Sequence, residues 1–161
     1  MKRSILVLYN ISKVNNAYNL CLSAFIHGFD VAIVGLTTHE KLEEQLSSHD
    51  VVKSNPTLHK LLRFENINDV KSYLNDPKDD NNNGMKLYGL EIIDDAISIL
   101  DFNPAMLPLA LMPGNEGHGL NQKQKDACDG YIYIPQYGVG TASLNVNVAT
   151  NIVLHHITFP I

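Results

Sequence analysis

Short apolar runs alternate along the chain with segments whose apolar residues recur at helical spacing. The runs are typical of buried strands and cover 5–9, 31–36, 85–92, 107–112 and 131–134, with a further apolar-rich stretch at 57–64. The segments with helical spacing cover 17–27, 40–49, 66–75, 94–100, 122–128 and 143–157. Strands that are short, apolar and separated by helices predict an α/β fold with a mainly parallel sheet flanked by helices.

Residues typical of helix ends support several of the predicted helix boundaries. Gly28 follows the segment 17–27, as glycine commonly does at a helix end. Asn66 and Asn68 are both candidates for the cap of the next amphipathic helix. Residues 76–85 read DPKDDNNNGM, a composition that predicts an exposed loop, and whether it is an ordered insertion stays open.

Length and charge narrow the class of protein. A chain of 161 residues suggests a single domain over 1–161. The net charge of −5 argues against binding nucleic acid through bulk positive charge, although a local basic patch remains open. No apolar run has the length of a membrane span. Two distant cysteines, Cys21 and Cys128, form no disulfide framework, so we expect a reducing, cytoplasmic environment.

Glycine-rich loops follow the predicted strands at 113–120 and 135–143, and a polar loop follows the first strand at 10–16. In parallel sheets ligands bind beyond the carboxyl ends of the strands. The loop 114–120 reads GNEGHGL, in which Glu116 is either a ligand-site carboxylate or a solvated residue of a plain turn. In the later loop, Ser143 is either a site residue or simply the cap of the last helix.

Three sequence blocks together resemble one family. They are GNEGHGL at 114–120, Ile-Pro at 134–135 and SLNVNVA at 143–149, in that order and at matching spacing. This is similar to motifs two and three of the SPOUT methyltransferases, in the SpoU/TrmH branch. The resemblance implies transfer of a methyl group from S-adenosylmethionine to a ribose 2′-hydroxyl of tRNA or rRNA. It also implies a C-terminal trefoil knot and a homodimer whose interface includes the last helix.

The same resemblance implies the site residues. The residues implied to be catalytic are Glu116, Ser143, Asn145 and Asn16. Those implied to bind the cofactor are Leu111, Met112, Pro113, Gly114, Gly117, Ile134, Pro135, Ser143 and Leu144. No metal site is expected, since the adjacent His155 and His156 face different sides of a helix.

Motif one departs from the family pattern. The family has an asparagine, a glycine and an arginine there, whereas this chain has Asn16, Tyr18 and Leu22. Leucine cannot donate a hydrogen bond or carry charge, so it cannot replace an arginine that positions the hydroxyl. Two functions therefore stay open within the family: an active RNA 2′-O-methyltransferase, or a silent homologue that serves as a cofactor-binding, RNA-binding or assembly subunit. An unrelated nucleotide-binding α/β protein is a third alternative.

Overall fold

Within the residues that the structure describes, seven strands form one sheet in which every pair of neighbours is parallel. The computed structural model describes residues 3–35, 39–76, 84–138 and 143–159. The strands are β1 (Ile5–Tyr9), β2 (Asp30–Val34), β3 (Leu61–Phe64), β4 (Leu87–Leu90), β5 (Ile97–Ser98), β6 (Ala110–Pro113) and β7 (Gly130–Tyr133). Their order is β3-β2-β1-β6-β4-β7-β5, which confirms the predicted parallel α/β sheet.

In the described part of the chain, six α-helices connect and cover the strands. They are α1 (Val14–Ile26), α2 (His39–Ser48), α3 (Asp50–Ser54), α4 (Ile67–Leu74), α5 (Gln122–Ala127) and α6 (Val146–Thr158). Gly28 follows α1 with a positive φ of 77°, and Asn66 caps α4 by accepting a hydrogen bond from the Asp69 amide. Both end signals therefore act as predicted.

The predicted helix at 94–100 is wrong. The chain there forms the two-residue strand β5 and then a 3-10 turn at Ile99–Asp101. Ile97 and Ser98 pair with β7 at the edge of the sheet, and the Ser98 hydroxyl accepts a hydrogen bond from the Leu100 amide. Edge pairing and a local side-chain cap thus override a short stretch of weak helical spacing.

The sheet separates two hydrophobic clusters because successive strand residues point to opposite faces. Leu6 and Leu8 of β1 join the cluster beneath α1, α2 and α6, whereas Ile5 and Val7 join the cluster beneath α4. Helices thus cover both faces, as the continuous apolar character of the strands predicted.

The strand order places several loops at one edge. The chain runs outward from β1 to β3, then crosses back so that β6 lies between β1 and β4. The carboxyl ends of β1, β6, β4 and β7 are consequently side by side. Parts of the predicted loops at 76–85 and 135–143 lie outside the described residues. Because the second of these loops belongs to the C-terminal segment, the knot implied for that segment stays a prediction.

The described α-helices are short compared with the thickness of a bilayer. None of those within 3–35, 39–76, 84–138 and 143–159 combines the length and the apolar character that a membrane crossing requires.

Burial of β1 yields a stability prediction. Leu6 is completely buried between β2 and β6, so Leu6→Ala should lower the free energy of unfolding by about 2–5 kcal/mol through lost contacts and a cavity. Leu100, which is 63% exposed, is the control, and its alanine variant should change stability by less than about 0.5 kcal/mol. Urea unfolding of both variants measures the difference, and equal losses would contradict this assignment of the core.

Candidate functional site

The glycine loop after β6 folds back on itself. The amide of Asn115 donates to the carbonyl of Gly119 at 3.0 Å, and the Gly119 amide returns a bond at 3.3 Å. Gly119 has a φ of +65°, and a side chain on Gly114 would lie 2.7 Å from the Gly119 backbone. The two glycines are therefore required by backbone conformation and by close approach, respectively.

A second loop, after β1, is fastened to the glycine loop. Asn10 has a positive φ of 60°, which is uncommon outside glycine but tolerated by asparagine. Its backbone carbonyl accepts a hydrogen bond of 2.8 Å from the side-chain amide of Asn115. The turn that ends β1 thus holds the loop that follows β6.

Glu116 lies where these loops meet the start of α1. Its Oε1 accepts a 2.9 Å hydrogen bond from Asn16 Nδ2 and a 3.5 Å contact from the Lys13 amide. Its Oε2 lies 3.4 Å from the Ser12 hydroxyl, which donates to it. Lys13 caps α1 without a side-chain hydrogen bond, and the first turn of α1 carries no acidic residue. The Glu116 carboxylate therefore places a negative charge at this helix N-terminus.

These contacts determine the charge state of Glu116. Burial of the carboxyl raises its pKa, but hydrogen bonds from Asn16 and from nearby backbone amides outweigh burial, so the pKa is lowered from its ordinary 4.5. At neutral pH the side chain is an ionised group that only accepts hydrogen bonds. The carboxylate is consequently suited to orienting a donor or accepting a proton.

A second carboxylate, Glu91, approaches the glycine loop from the end of β4. It accepts a 3.0 Å hydrogen bond from the Leu120 amide, and a side chain on Gly119 would meet its Oε2 at 2.7 Å. The sequence analysis missed this residue. A charged side chain immediately after the apolar strand segment LYGL was the available signal.

A cavity opens between the glycine loop, the ends of β4 and β7, and the start of α6. Six of the predicted site residues line it: Gly114, Glu116, Gly117, Ile134, Ser143 and Leu144. Residues that were not predicted also line it, among them Leu90, Glu91, Tyr133, Gln136 and Ala149. Its described lining contains two carboxylates and no lysine, arginine or histidine, so the cavity favours neutral or cationic groups over phosphates.

Other predicted residues lie behind the cavity. Leu111, Met112 and Pro113 are buried in β6, which pairs with strands on both sides, so their side chains belong to the core. Pro135 follows β7 and is half-buried. Asn16 reaches the site through Glu116, not through the cavity wall.

Ser143 is not the cap of α6, which was the simpler of its two interpretations. Asn145, not Ser143, is the N-cap: its Oδ1 accepts a 2.9 Å hydrogen bond from the Asn147 amide. The helix begins three residues later than predicted, which leaves Ser143 and Leu144 in the cavity wall. The helical spacing extended the prediction into the cap because the apolar Leu144 continues that spacing.

The altered positions of motif one lie outside the cavity wall. Tyr18 and Leu22 are half-buried and pack against the core cluster beneath α1. The Tyr18 ring meets His49 edge-on with a centroid distance of 6.3 Å. Within one chain, these two side chains support the packing of α1 and do not contact the cavity.

Two further polar residues escaped the sequence analysis. Asn147 Nδ2 donates to Asn16 Oδ1 at 3.1 Å, which connects the beginnings of α1 and α6. Gln124 is fully buried in α5, and its Nε2 donates to the Tyr9 carbonyl at the end of β1 at 3.1 Å. Buried polar groups with specific partners carry no periodic signal, so only the structure identifies them.

The part of the chain that the structure describes contains no group of three or more histidine, cysteine, aspartate or glutamate side chains placed to hold a metal ion.

The lowered pKa of Glu116 predicts a pH-dependent effect on stability. A carboxyl whose pKa is lower in the folded state stabilises the fold above its unfolded pKa, and this contribution is lost as the pH falls through the folded value. Glu116→Gln should therefore destabilise the protein at neutral pH, with a difference from wild type that shrinks below pH 4.5. Urea unfolding at neutral pH and below pH 4.5 measures this difference in stability, with Glu65→Gln at an exposed position as control. A difference from wild type that grows on acidification would contradict the prediction.

Comparison with known proteins identifies the family of the chain. The profile of the SpoU rRNA Methylase family matches residues 3–155. The 23S rRNA (guanosine-2′-O-)-methyltransferase RlmB of Photobacterium profundum is 47% identical over 47 residues, which is 29% of this chain and 19% of that enzyme. The chain thus aligns with about a fifth of the length of this curated relative.

Solved structures share the fold at lower identity. The SpoU methyltransferase AviRb from Streptomyces viridochromogenes, in complex with AdoMet, superposes with a TM-score of 0.79 at 20% identity, over 98% of this chain and 60% of that one. The TrmH/SpoU tRNA modifying enzyme of A. aeolicus superposes with a TM-score of 0.70 at 18% identity, over 98% and 75%. Since the family profile spans nearly the whole chain, this protein belongs to the SpoU rRNA Methylase family.

Proposed function

We propose that this chain binds S-adenosylmethionine in the cavity beside the glycine loop and methylates a ribose 2′-hydroxyl of tRNA or rRNA. The observation that carries the proposal is the convergence of the glycine loop, Glu116 and the start of α6 on one cavity. Family membership and the AdoMet complex of AviRb support the choice of cofactor. The name of the RlmB relative supports the ribose hydroxyl as acceptor.

The cavity wall fits such a cofactor. S-adenosylmethionine supplies a methyl group on a positively charged sulfur. Leu90, Ile134 and Leu144 offer apolar surface to an adenosyl group, and the Glu91 and Glu116 carboxylates favour a positive charge. Gly117 has no atom within 4 Å of where a side chain would begin, so a ligand can approach its backbone.

The protein's own groups handle the hydroxyl. A ribose hydroxyl is a weak nucleophile, so it must lose its proton as the new oxygen–carbon bond forms. Glu116 is ionised, lines the cavity and is held by neutral donors, and we assign it to orienting the hydroxyl or accepting its proton. Ser143 lies in the same wall, and Asn145 precedes α6 directly beside it, so both are assigned to positioning the ribose.

A silent homologue is the second candidate, and the two arginines favour it. Arg3 pairs with Asp30 at the amino end of β2, on the opposite edge of the sheet from the cavity. Arg63, on the edge strand β3, pairs with Glu43 of α2. Leu22 packs on the core. Since the sequence has no other arginine, a chain acting alone brings none to the cavity.

We also propose a homodimer that uses α6. The helix carries Val148 and Ile152 on an exposed face, at 49% and 40% exposure, and Phe159 follows at 60%. An exposed apolar stripe on a helix otherwise packed against the core is typical of an interface. A second copy would also be the source of any arginine that completes the site.

Cofactor binding is the first test. The purified chain should bind S-adenosylmethionine in isothermal calorimetry, and a charge-reversing Glu91→Lys variant should bind at least about tenfold more weakly, because a cation replaces a carboxylate in the wall. Glu65→Lys, on an exposed loop after β3, is the matched control. Absence of heat and of a thermal shift at millimolar cofactor would reject both candidate functions.

Methyl transfer to total RNA separates the two candidates. If the chain is an enzyme, Glu116→Ala and Asn145→Ala should each lower kcat by about tenfold to a thousandfold, as expected for loss of preorganised groups. Glu65→Ala should leave kcat unchanged. Incorporation of tritiated methyl, followed by nuclease digestion to locate the modified nucleotide, is the measurement. A wild type that binds cofactor but transfers no methyl establishes the silent homologue, and an active wild type that tolerates both alanines places catalysis elsewhere.

A further inference from the structure

Three side chains form a continuous hydrogen-bonded series that ends at Glu116. Asn147 Nδ2 donates to Asn16 Oδ1 at 3.1 Å, and Asn16 Nδ2 donates to Glu116 Oε1 at 2.9 Å. We propose that Asn147 is a positioning residue, which acts through Asn16 to hold the Glu116 carboxylate in the orientation that methyl transfer requires. This inference rests on the proposed function for its catalytic consequence, but the hydrogen-bonded series can be tested without it.

The direction of the series follows from the acceptor at its end. An ionised carboxylate can only accept hydrogen bonds, so Asn16 must turn its NH₂ group toward Glu116. The carbonyl oxygen of Asn16 then faces the other way and requires a donor. Asn147 provides that donor, and each amide orientation is thereby determined by the next group in the series.

A buried acceptor on Asn147 is consistent with this constraint. Its Oδ1 is buried and has no hydrogen-bond partner among the described residues. Turning the Asn147 amide over would break the bond to Asn16 and bring two carbonyl oxygens together. The side chain thus keeps an unfavourable buried oxygen in the orientation that retains the bond to Asn16, which indicates that the series determines its geometry.

Rigid elements support all three members. Asn16 is in the first turn of α1, Asn147 is in the first turn of α6, and these two helices pack against each other over the first core cluster. The backbone amide of Asn147 donates a 2.9 Å hydrogen bond to the side-chain oxygen of Asn145. A carboxylate fixed from two packed helices is more closely positioned than one held by a loop alone.

Neither asparagine lines the cavity, and this separates their role from ligand binding. Loss of the Asn147 amide should therefore leave cofactor affinity unchanged while Glu116 becomes less well oriented. The segments that meet at Glu116 carry other titratable groups: Tyr9, Lys13, Glu91, His118 and Tyr133. All five remain in place in the variants, so a change in Glu116 itself can be assigned to the series.

The test compares Asn147→Leu with Asn151→Leu. Leucine preserves side-chain size but cannot donate, and Asn151 lies one turn further along α6, where its amide bonds to the Asn147 backbone carbonyl at 2.7 Å. In a carbon-13 NMR titration of labelled glutamate, Asn147→Leu should raise the pKa of Glu116 by about 0.5 or more, because the carboxylate loses an oriented donor. Asn151→Leu should leave it unchanged. Asn147→Ala is the second variant should the leucine variant not fold.

Kinetics complete the comparison. Asn147→Leu should lower kcat by at least about tenfold with the cofactor Kd within about twofold of wild type. A variant that only melts earlier, with an unaltered Glu116 titration and kcat, overturns the inference. A wild type that transfers no methyl to RNA rejects the enzymatic function instead, and the titration then still decides whether the series holds Glu116.

Discussion

The arrangement of the site depends on the hydrogen bonds that the Glu116 carboxylate accepts. It accepts from Asn16 and from the start of α1, so it joins the loop after β6 to the helix after β1. Those two strands are neighbours in the sheet, and Asn115 reinforces the same junction through the Asn10 carbonyl. A single charged group therefore serves both the packing of the site and its chemistry, because the donors that stabilise its charge also fix its direction.

Periodicity predicted most of the fold because it reports burial, and burial determines the strands and helices here. β1 was predicted with its observed ends, since Ile5 to Leu8 are all buried, and the helical stripe of α4 was equally clear. The prediction failed at β5, where two residues pair at a sheet edge and leave too short a pattern to identify. The motifs located the cavity wall. Glu91 directly follows the apolar segment LYGL and Asn147 lies within SLNVNVA, but neither signal indicates the role of the residue, because each role depends on a neighbour that lies far away in sequence.

Under the proposed function, the cavity and the surface charge impose different requirements on an RNA substrate. Phosphates are repelled by a wall that carries Glu91 and Glu116, whereas a neutral ribose and a cationic sulfur are not. The whole chain has 12 basic and 17 acidic residues, so electrostatic attraction to an RNA backbone requires a local concentration of lysines or a second subunit. In that function the reacting ribose is bound in the cavity, and the phosphates are bound by a different surface.

Leu22, which stands where the family pattern has an arginine, is the reason why this separation matters for the mechanism. An arginine in an active site can hold a phosphate and orient a hydroxyl at once, whereas leucine does neither and here packs on the core. With both arginines engaged in ion pairs away from the cavity, the described donors to Glu116 are amides and a hydroxyl. Uncharged donors stabilise a carboxylate less than a guanidinium does, so they leave it a stronger proton acceptor. Under the proposed function, an ionised carboxylate with a lowered pKa orients the ribose hydroxyl, and binding of the RNA phosphates has to come from outside the cavity.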